Sequence, residues 1–197
     1  MINLALFILR ATVGGLIAGH GAQKLFGAFE GPGPEGTRGM MQSLGYDPPH
    51  VWATAAGASE FAGGLLTAAG FLNPLGPLAA MGSMLTATRK VHWGKPVWVT
   101  AGGAELPLTN IAALSALTLA GPGAISLDRI FGVRLPAWFT LLATGATLGV
   151  TISSINASER ARQEQARSGQ AKVSGRARVR RAVEPGPDEP VEVTEGS

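Results

Sequence analysis

Apolar residues run along this chain in five long stretches, set apart by polar or glycine- and proline-rich connections. The stretches are Leu4 to Gly21, Val51 to Phe71, Leu75 to Thr88, Gly103 to Ala120 and Leu135 to Ile155. A bilayer core about 30 Å thick needs roughly 20 mostly apolar residues of helix. None of the stretches alternates polar with apolar residues as a barrel strand does. In lipid the backbone can satisfy its hydrogen bonds only in helices or closed barrels, so the pattern predicts an all-α, polytopic membrane helix bundle. The third stretch is short. It reaches spanning length over 74–92 if Arg89 and Lys90 snorkel to the interface, and otherwise forms a re-entrant or buried helix.

The connection from Phe26 to Pro49 contains Gly27, Gly31, Pro32, Gly33, Pro34, Gly36 and Gly39, which is expected to break regular structure there. At this length it is also expected to fold over the bundle. After Ile155 no apolar face remains. Residues 1–155 therefore read as a transmembrane domain with spans near 4–21, 51–71, 74–92, 103–120 and 135–155. Residues 156–197 read as a disordered cytoplasmic tail, first basic and then acidic.

Composition strengthens the membrane reading. Charged residues make up 15% of the 197 residues, and eight of the sixteen Lys and Arg lie between Arg160 and Arg181, outside every apolar stretch. A soluble chain carries about 25% charged residues. The isoelectric point of 9.8 is compatible with nucleic acid. However, the basic run lacks interleaved aromatics and any recognition motif, so anionic lipid headgroups are the expected counter-charge and no nucleic-acid partner is expected. There is no cysteine, which excludes disulfides, iron–sulfur clusters and thiol catalysis. A redox role would therefore rest on a bound cofactor or a partner. The first basic residue is Arg10, inside the first apolar run, so that segment is expected to remain as a helix.

With five spans and the tail inside, Lys24, Arg38, Arg89, Lys90, Lys95 and the basic tail are cytoplasmic, while Arg129 and Arg134 are outside. With four spans Lys24 and Arg38 move outside. The positive-inside rule favours five spans with the N-terminus outside. Trp52, Trp93, Trp98 and Trp138 all fall near predicted helix ends, where indole rings prefer the headgroup region.

Ionisable groups within spanning helices mark packing or function, and here they are Arg10, His20, Glu60 and Glu105. Arg10, Gly14, Ile17, Gly21 and Lys24 share one face of the first helix. Ala53, Gly57, Glu60, Gly64 and Thr67 share one face of the second. If these faces meet, a buried pair between Arg10 and Glu60 is expected to set helix register. The functional alternative makes Glu60 a proton carrier or a hydrogen-bond partner for a quinone-like head group. His20, Lys24, His92, Lys95 and Glu105 are expected to cluster near the cytoplasmic face. Small residues at Gly15 and Gly19, at Gly57 and Gly64, and at Gly145 and Gly149 are expected to serve close helix packing. No metal triad is visible.

Several segments carry a resemblance: LRATVGGLIAGHGAQKLFGAF from Leu9, Leu44-Gly45-Tyr46-Asp47-Pro48-Pro49, AAGASEFAGGLLTAAGFLNPLGPL, GGAELPLTNIAAL, and the Gly-Pro-Gly before Ser126-Leu127-Asp128. Together they resemble the DoxX family of bacterial membrane proteins, over most of residues 4 to 130. The resemblance implies a four-helix membrane core, to which the fifth span and the tail are added. It also implies that Arg10, His20, Lys24, Glu60 and Glu105 occupy recurring motif positions. Some members are associated with quinol oxidase or thiosulfate:quinone oxidoreductase complexes. The expected function is accordingly a bacterial plasma-membrane subunit or anchor of a quinone-linked or oxidative-stress oxidoreductase complex. In that role His20, Glu60 and Glu105 would be proton-transfer residues, and Arg10 and Lys24 would contact the quinone. The alternative is a non-enzymatic scaffold or small transporter whose buried charges set helix packing.

Overall fold

The computed structural model describes residues 1–183, with side chains to residue 176, and within these residues it is helical without strands. Helix α1 covers Ile2–Phe26 and ends where Gly27 takes a left-handed backbone, φ 69°. The Gly27 N–H donates back to Gln23 O at 3.2 Å, the usual way a glycine stops a helix. Helix α2, Gly33–Ser43, crosses over α1 and α3, then α3 runs over Pro49–Ala69 and stops at left-handed Gly70. Helix α4, Leu75–Ala87, continues through a π-helical turn, Thr88–His92. Helix α5 spans Glu105–Ala120 and short α6 spans Leu127–Phe131, capped where the Arg129 N–H donates to the Ser126 hydroxyl at 3.3 Å. Helix α7 runs from Ala137 to Val183.

Five of these helices cross the bundle in alternating directions. Gly14 of α1 lies against Gly64 and Ala68 of α3, Ser59 of α3 meets Ser83 of α4, and Gly82 of α4 lies beside Thr147 and Thr151 of α7. Ile17, Leu78, Ala80, Met81, Met84 and Leu114 form the main apolar core, with contributions from α1, α4 and α5. The helix ends lie within two residues of the expected stretches except at the C-terminal ends of α1 and α7, which run on to Phe26 and Val183. Two helices, α1 and α7, are long and apolar enough to cross a membrane by length and composition. Helix α5 has only 16 residues, and the Gly, Ala and Glu60 of α3 dilute its apolarity.

The exposed surface of the bundle is far more apolar than that of a water-soluble bundle, and several polar side chains are buried within it. Leu16, Leu119 and Leu141 are 66%, 86% and 76% exposed, whereas Arg10, Glu60, Thr67, Thr118 and Thr151 are buried. The buried hydroxyls of Thr67 and Thr118 donate to carbonyls one turn back in their own helices, so they need no water. Lipid tails are as apolar as leucine, so such a bundle loses little by facing its leucines outward.

Three expectations are corrected. The 26–49 connection is not irregular: Pro34 starts α2, the Thr37 hydroxyl donates to Gly33 O at 2.7 Å, and Met41 packs beside Tyr46 and Ala53. The expected disordered tail is helical from residue 156 to Val183. No proline occurs between Pro136 and Pro185, and Ala, Arg, Glu and Gln extend an existing helix without a new nucleation cost. Its first turns dock, since Glu159 pairs with Arg89 at 2.9 Å. The acidic half of the expected tail, from residue 184, lies outside the described residues. Finally, Gly15, Gly19, Gly145 and Gly149 have no neighbour within 4 Å of a would-be Cβ; Gly57 and Gly64 make the expected close approaches, and on α1 it is Gly14 that does so.

Candidate functional site

The two charged faces do meet, but the partners differ from those expected. Because α1 and α3 run antiparallel with Gly14 opposite Gly64, Glu60 comes level with the C-terminal part of α1. Arg10 lies about ten residues, or roughly 15 Å, away along that helix. Glu60 therefore pairs with Lys24, and the expected Arg10–Glu60 pair does not form. The Lys24 ammonium donates to Glu60 Oε1, while Glu60 Oε2 is buried without a hydrogen-bond partner.

Arg10 sits at the opposite end of the bundle. Its guanidinium donates to Ala68 O, among the last carbonyls of α3, and to Ile125 O in the α5–α6 connection. It thus satisfies a helix end that no further turn can satisfy. Nearby, Asp128 accepts from the Leu72 and Asn73 N–H groups at 2.8 and 2.9 Å, which holds the α3–α4 turn. These contacts give Arg10 and the Ser126-Leu127-Asp128 motif a structural role.

The expected cytoplasmic-face cluster separates. His20 is exposed and its Nδ1 faces Gln23 Oε1 at 3.1 Å. Glu105 accepts from the Val99 N–H at 2.8 Å, and His92 Nδ1 meets Gly102 O at 2.7 Å, so both brace the 93–104 connection. Among the described residues no hydrogen bond or ion pair joins His20, His92, Lys95 or Glu105 to the Lys24–Glu60 pair, and no three His, Asp or Glu side chains gather as a metal site.

Lys24 and Glu60 instead border a cavity of about 420 Å³ between α3, α4 and α7, covered by α2. Ligand cavities generally fall between about 300 and 1,000 Å³. Apolar walls come from Met41, Leu78 and Ala79, and hydroxyls from Ser59, Ser83, Thr86, Thr151 and Ser154. Ser59 and Ser83 hydrogen-bond to each other at 2.7 Å, tying α3 to α4 beside Glu60.

Tyr46 borders the same cavity and was not among the expected site residues. Its ring packs on Trp52 at 5.1 Å between centroids, and the Lys90 ammonium stands 5.7 Å from its centroid. The hydroxyls of Thr86, Ser154 and Ser158 lie near Tyr46 Oη, each donating to a carbonyl of its own helix, and Tyr46 Oη is buried without a well-formed hydrogen bond of its own. Thr147, Thr151, Ser154 and Ser158 fall on one face of α7, a polar stripe visible at helical spacing that could have marked this wall.

Burial pushes the Tyr46 phenol above its ordinary range near 10. Tyr46 is the only tyrosine, so tyrosinate absorbance reads it alone. The folded protein is expected to titrate above pH 10, and the unfolded chain near it. The folded state then holds a proton that the unfolded state releases, so stability falls as pH rises through that window. A folded-state midpoint at or below 10 would mean that the ring is solvated.

No curated protein and no solved structure matches this chain. Residues 5–93, which carry α1 to α4, Lys24, Tyr46 and Glu60, match the DoxX family model. These residues therefore carry a DoxX domain, and two helices of the chain, α1 within that domain and α7 beyond it, are long and apolar enough to cross a membrane.

Proposed function

We propose that the protein is a plasma-membrane subunit or anchor of a quinone-linked oxidoreductase complex, and that the Lys24–Glu60 cavity receives the quinone head group. The observation that carries this reading is a buried carboxylate with one oxygen held by an ammonium and the other free, at the wall of an apolar cavity. A quinone supplies two-electron chemistry and takes up two protons on reduction to the quinol. Glu60 Oε2 is positioned to receive a hydrogen bond from a quinol hydroxyl or to exchange its proton. Lys24 compensates the charge on Glu60 while the head group is bound. Electrons come from a partner protein. His20, Glu105 and Arg10 take no direct part, since their contacts lie elsewhere.

Five membrane crossings with the N-terminus outside accompany this reading. Helices α1, α3, α4, α5 and α7 alternate in direction, and Lys24, Arg38, Arg89, Lys90 and Lys95 lie toward the end from which α7 emerges. The positive-inside rule puts that end in the cytoplasm, where the basic part of α7 faces anionic headgroups. The deciding experiment is extraction in mild detergent followed by identification of co-purifying lipids and proteins. Bound quinone together with a redox protein is the expected result, and neither being present would sink the proposal.

A second reading, a membrane scaffold, is favoured by the α7 extension, whose residues from Arg160 to Arg176 are almost all exposed. Recovery of non-redox cytosolic proteins, lost on removing residues 158–197, would favour it.

A further inference from the structure

We infer that the ligand of this cavity is a membrane-dissolved amphiphile that enters sideways between α3 and α7, leaving its apolar tail in the opening and its head between Glu60 and Tyr46. This rests on the cavity being a ligand site, but not on the head being a quinone.

The aqueous end of the cavity is narrowed by side chains from several elements, although Met40 of α2 and Val91 line it there and are partly exposed. Met41 and Leu44 come from α2 and its end, Tyr46 packs at a tilt against Trp52, and Lys90 lies over Tyr46. Farther along, the Arg89–Glu159 pair ties the end of α4 to α7. The lateral side is different. Ala55 on α3 and Ala146 and Val150 on α7 line the cavity and are also exposed. Among the described residues no hydrogen bond or ion pair joins α3 to α7, because each packs on α4 instead: α3 through Ser59 on Ser83, and α7 through Thr151 beside Gly82. Ala146 and Val150 lie roughly 14 and 20 Å along α7 from Ala137, within its apolar stretch, so this opening faces lipid.

The polar end defines the head. Glu60 and Tyr46 are 2% and 4% exposed, and each leaves one buried oxygen unpartnered, Oε2 and Oη. A buried polar atom without a partner costs free energy that a matching ligand group recovers. The carboxylate oxygen asks for a donor and the phenol for an acceptor. A head group carrying both, on a single apolar tail, satisfies the two together. Tyr46 is then a ligand-contacting residue rather than a packing aromatic.

The chain has no cysteine, so a single Ser83→Cys variant reports access to the cavity. Reconstituted in liposomes, it is treated with either pyrene maleimide, which partitions into the bilayer, or a charged, impermeant sulfonate maleimide offered to both faces. Lateral entry predicts labelling by the bilayer reagent about tenfold faster. Adding Ala146→Phe at the mouth should slow that reaction several-fold, whereas Leu148→Phe, exposed on α7 but not lining the cavity, should not. Val150→Trp repeats the block should Ala146→Phe perturb folding. Equal rates with both reagents, indifference to mouth substitutions, or no reaction with either would overturn the inference. Sideways labelling without quinone binding would sink only the head-group identity, and quinone binding with labelling from water alone would sink only the lateral route.

Discussion

Replacing Lys24 with Met is expected to destabilise the protein by about 3–5 kcal/mol, the cost of leaving a buried carboxylate without its counter-charge. Glu60 is 2% exposed, and its second oxygen already lacks a partner, so nothing nearby can take over from the ammonium. The reverse change is milder. Glu60→Gln leaves Lys24 charged, but its side chain is 21% exposed and long enough to move its ammonium toward the interface. A double Lys24→Met, Glu60→Met variant removes both charges and is expected to recover most of the loss, since apolar replacements of buried pairs are often neutral or better. Unfolding in mixed detergent micelles measures all three. An equal loss for Lys24→Met and Glu60→Gln would mean that the pair is solvated and that the interior position of Glu60 is mistaken.

The second large effect belongs to the α1–α3 contact. A Cβ at Gly14 would stand 2.5 Å from Ala68 N and 2.7 Å from Gly64 O, both backbone atoms that cannot turn aside. Gly14→Leu must therefore push the helices apart, at a cost at or above the roughly 1–3 kcal/mol typical of overpacking. Such a shift would also disturb the Lys24–Glu60 pair farther along the same interface. Gly15→Leu, one residue away and facing open space, is the control and should be close to neutral. The same unfolding assay compares them, and similar losses for the two variants would mean that α1 is rotated from the face described.

The faces behind both predictions were legible in the sequence. Arg10, Gly14, Ile17, Gly21 and Lys24 repeat at helical spacing, as do Ala53, Gly57, Glu60, Gly64 and Thr67, and each face is small apart from its charges. Which charges would pair was not legible, because this depends on how far one antiparallel helix slides along the other. Gly14 opposite Gly64 fixes that slide, and it brings Lys24 rather than Arg10 to Glu60. The cavity was hidden for a different reason. Its walls come from helices distant in sequence, and Tyr46 lies in a segment whose glycines and prolines read as irregular. The polar residues after Ile155 read as a tail because they have no apolar face. The helix persists there because it is already nucleated and partly docked through Glu159.

His20 and Glu105 show the limit of reading ionisable residues singly. Both carry chemistry suited to proton transfer, yet one faces a neighbouring glutamine on an exposed surface and the other holds a backbone turn. Glu60 differs because it combines burial, a cation and a free oxygen at a cavity wall.

The most direct measurement is titration of a short-tailed benzoquinone into nanodiscs carrying the wild-type protein, Glu60→Gln, or His20→Ala, followed by fluorescence quenching of Trp52, which lines the cavity, with Trp93, Trp98 and Trp138 changed to Phe. Saturable quenching in the wild type and in His20→Ala, weakened about tenfold or more in a folded Glu60→Gln, is the predicted result. No saturable quenching in the wild type, or equal affinity in Glu60→Gln, would contradict it.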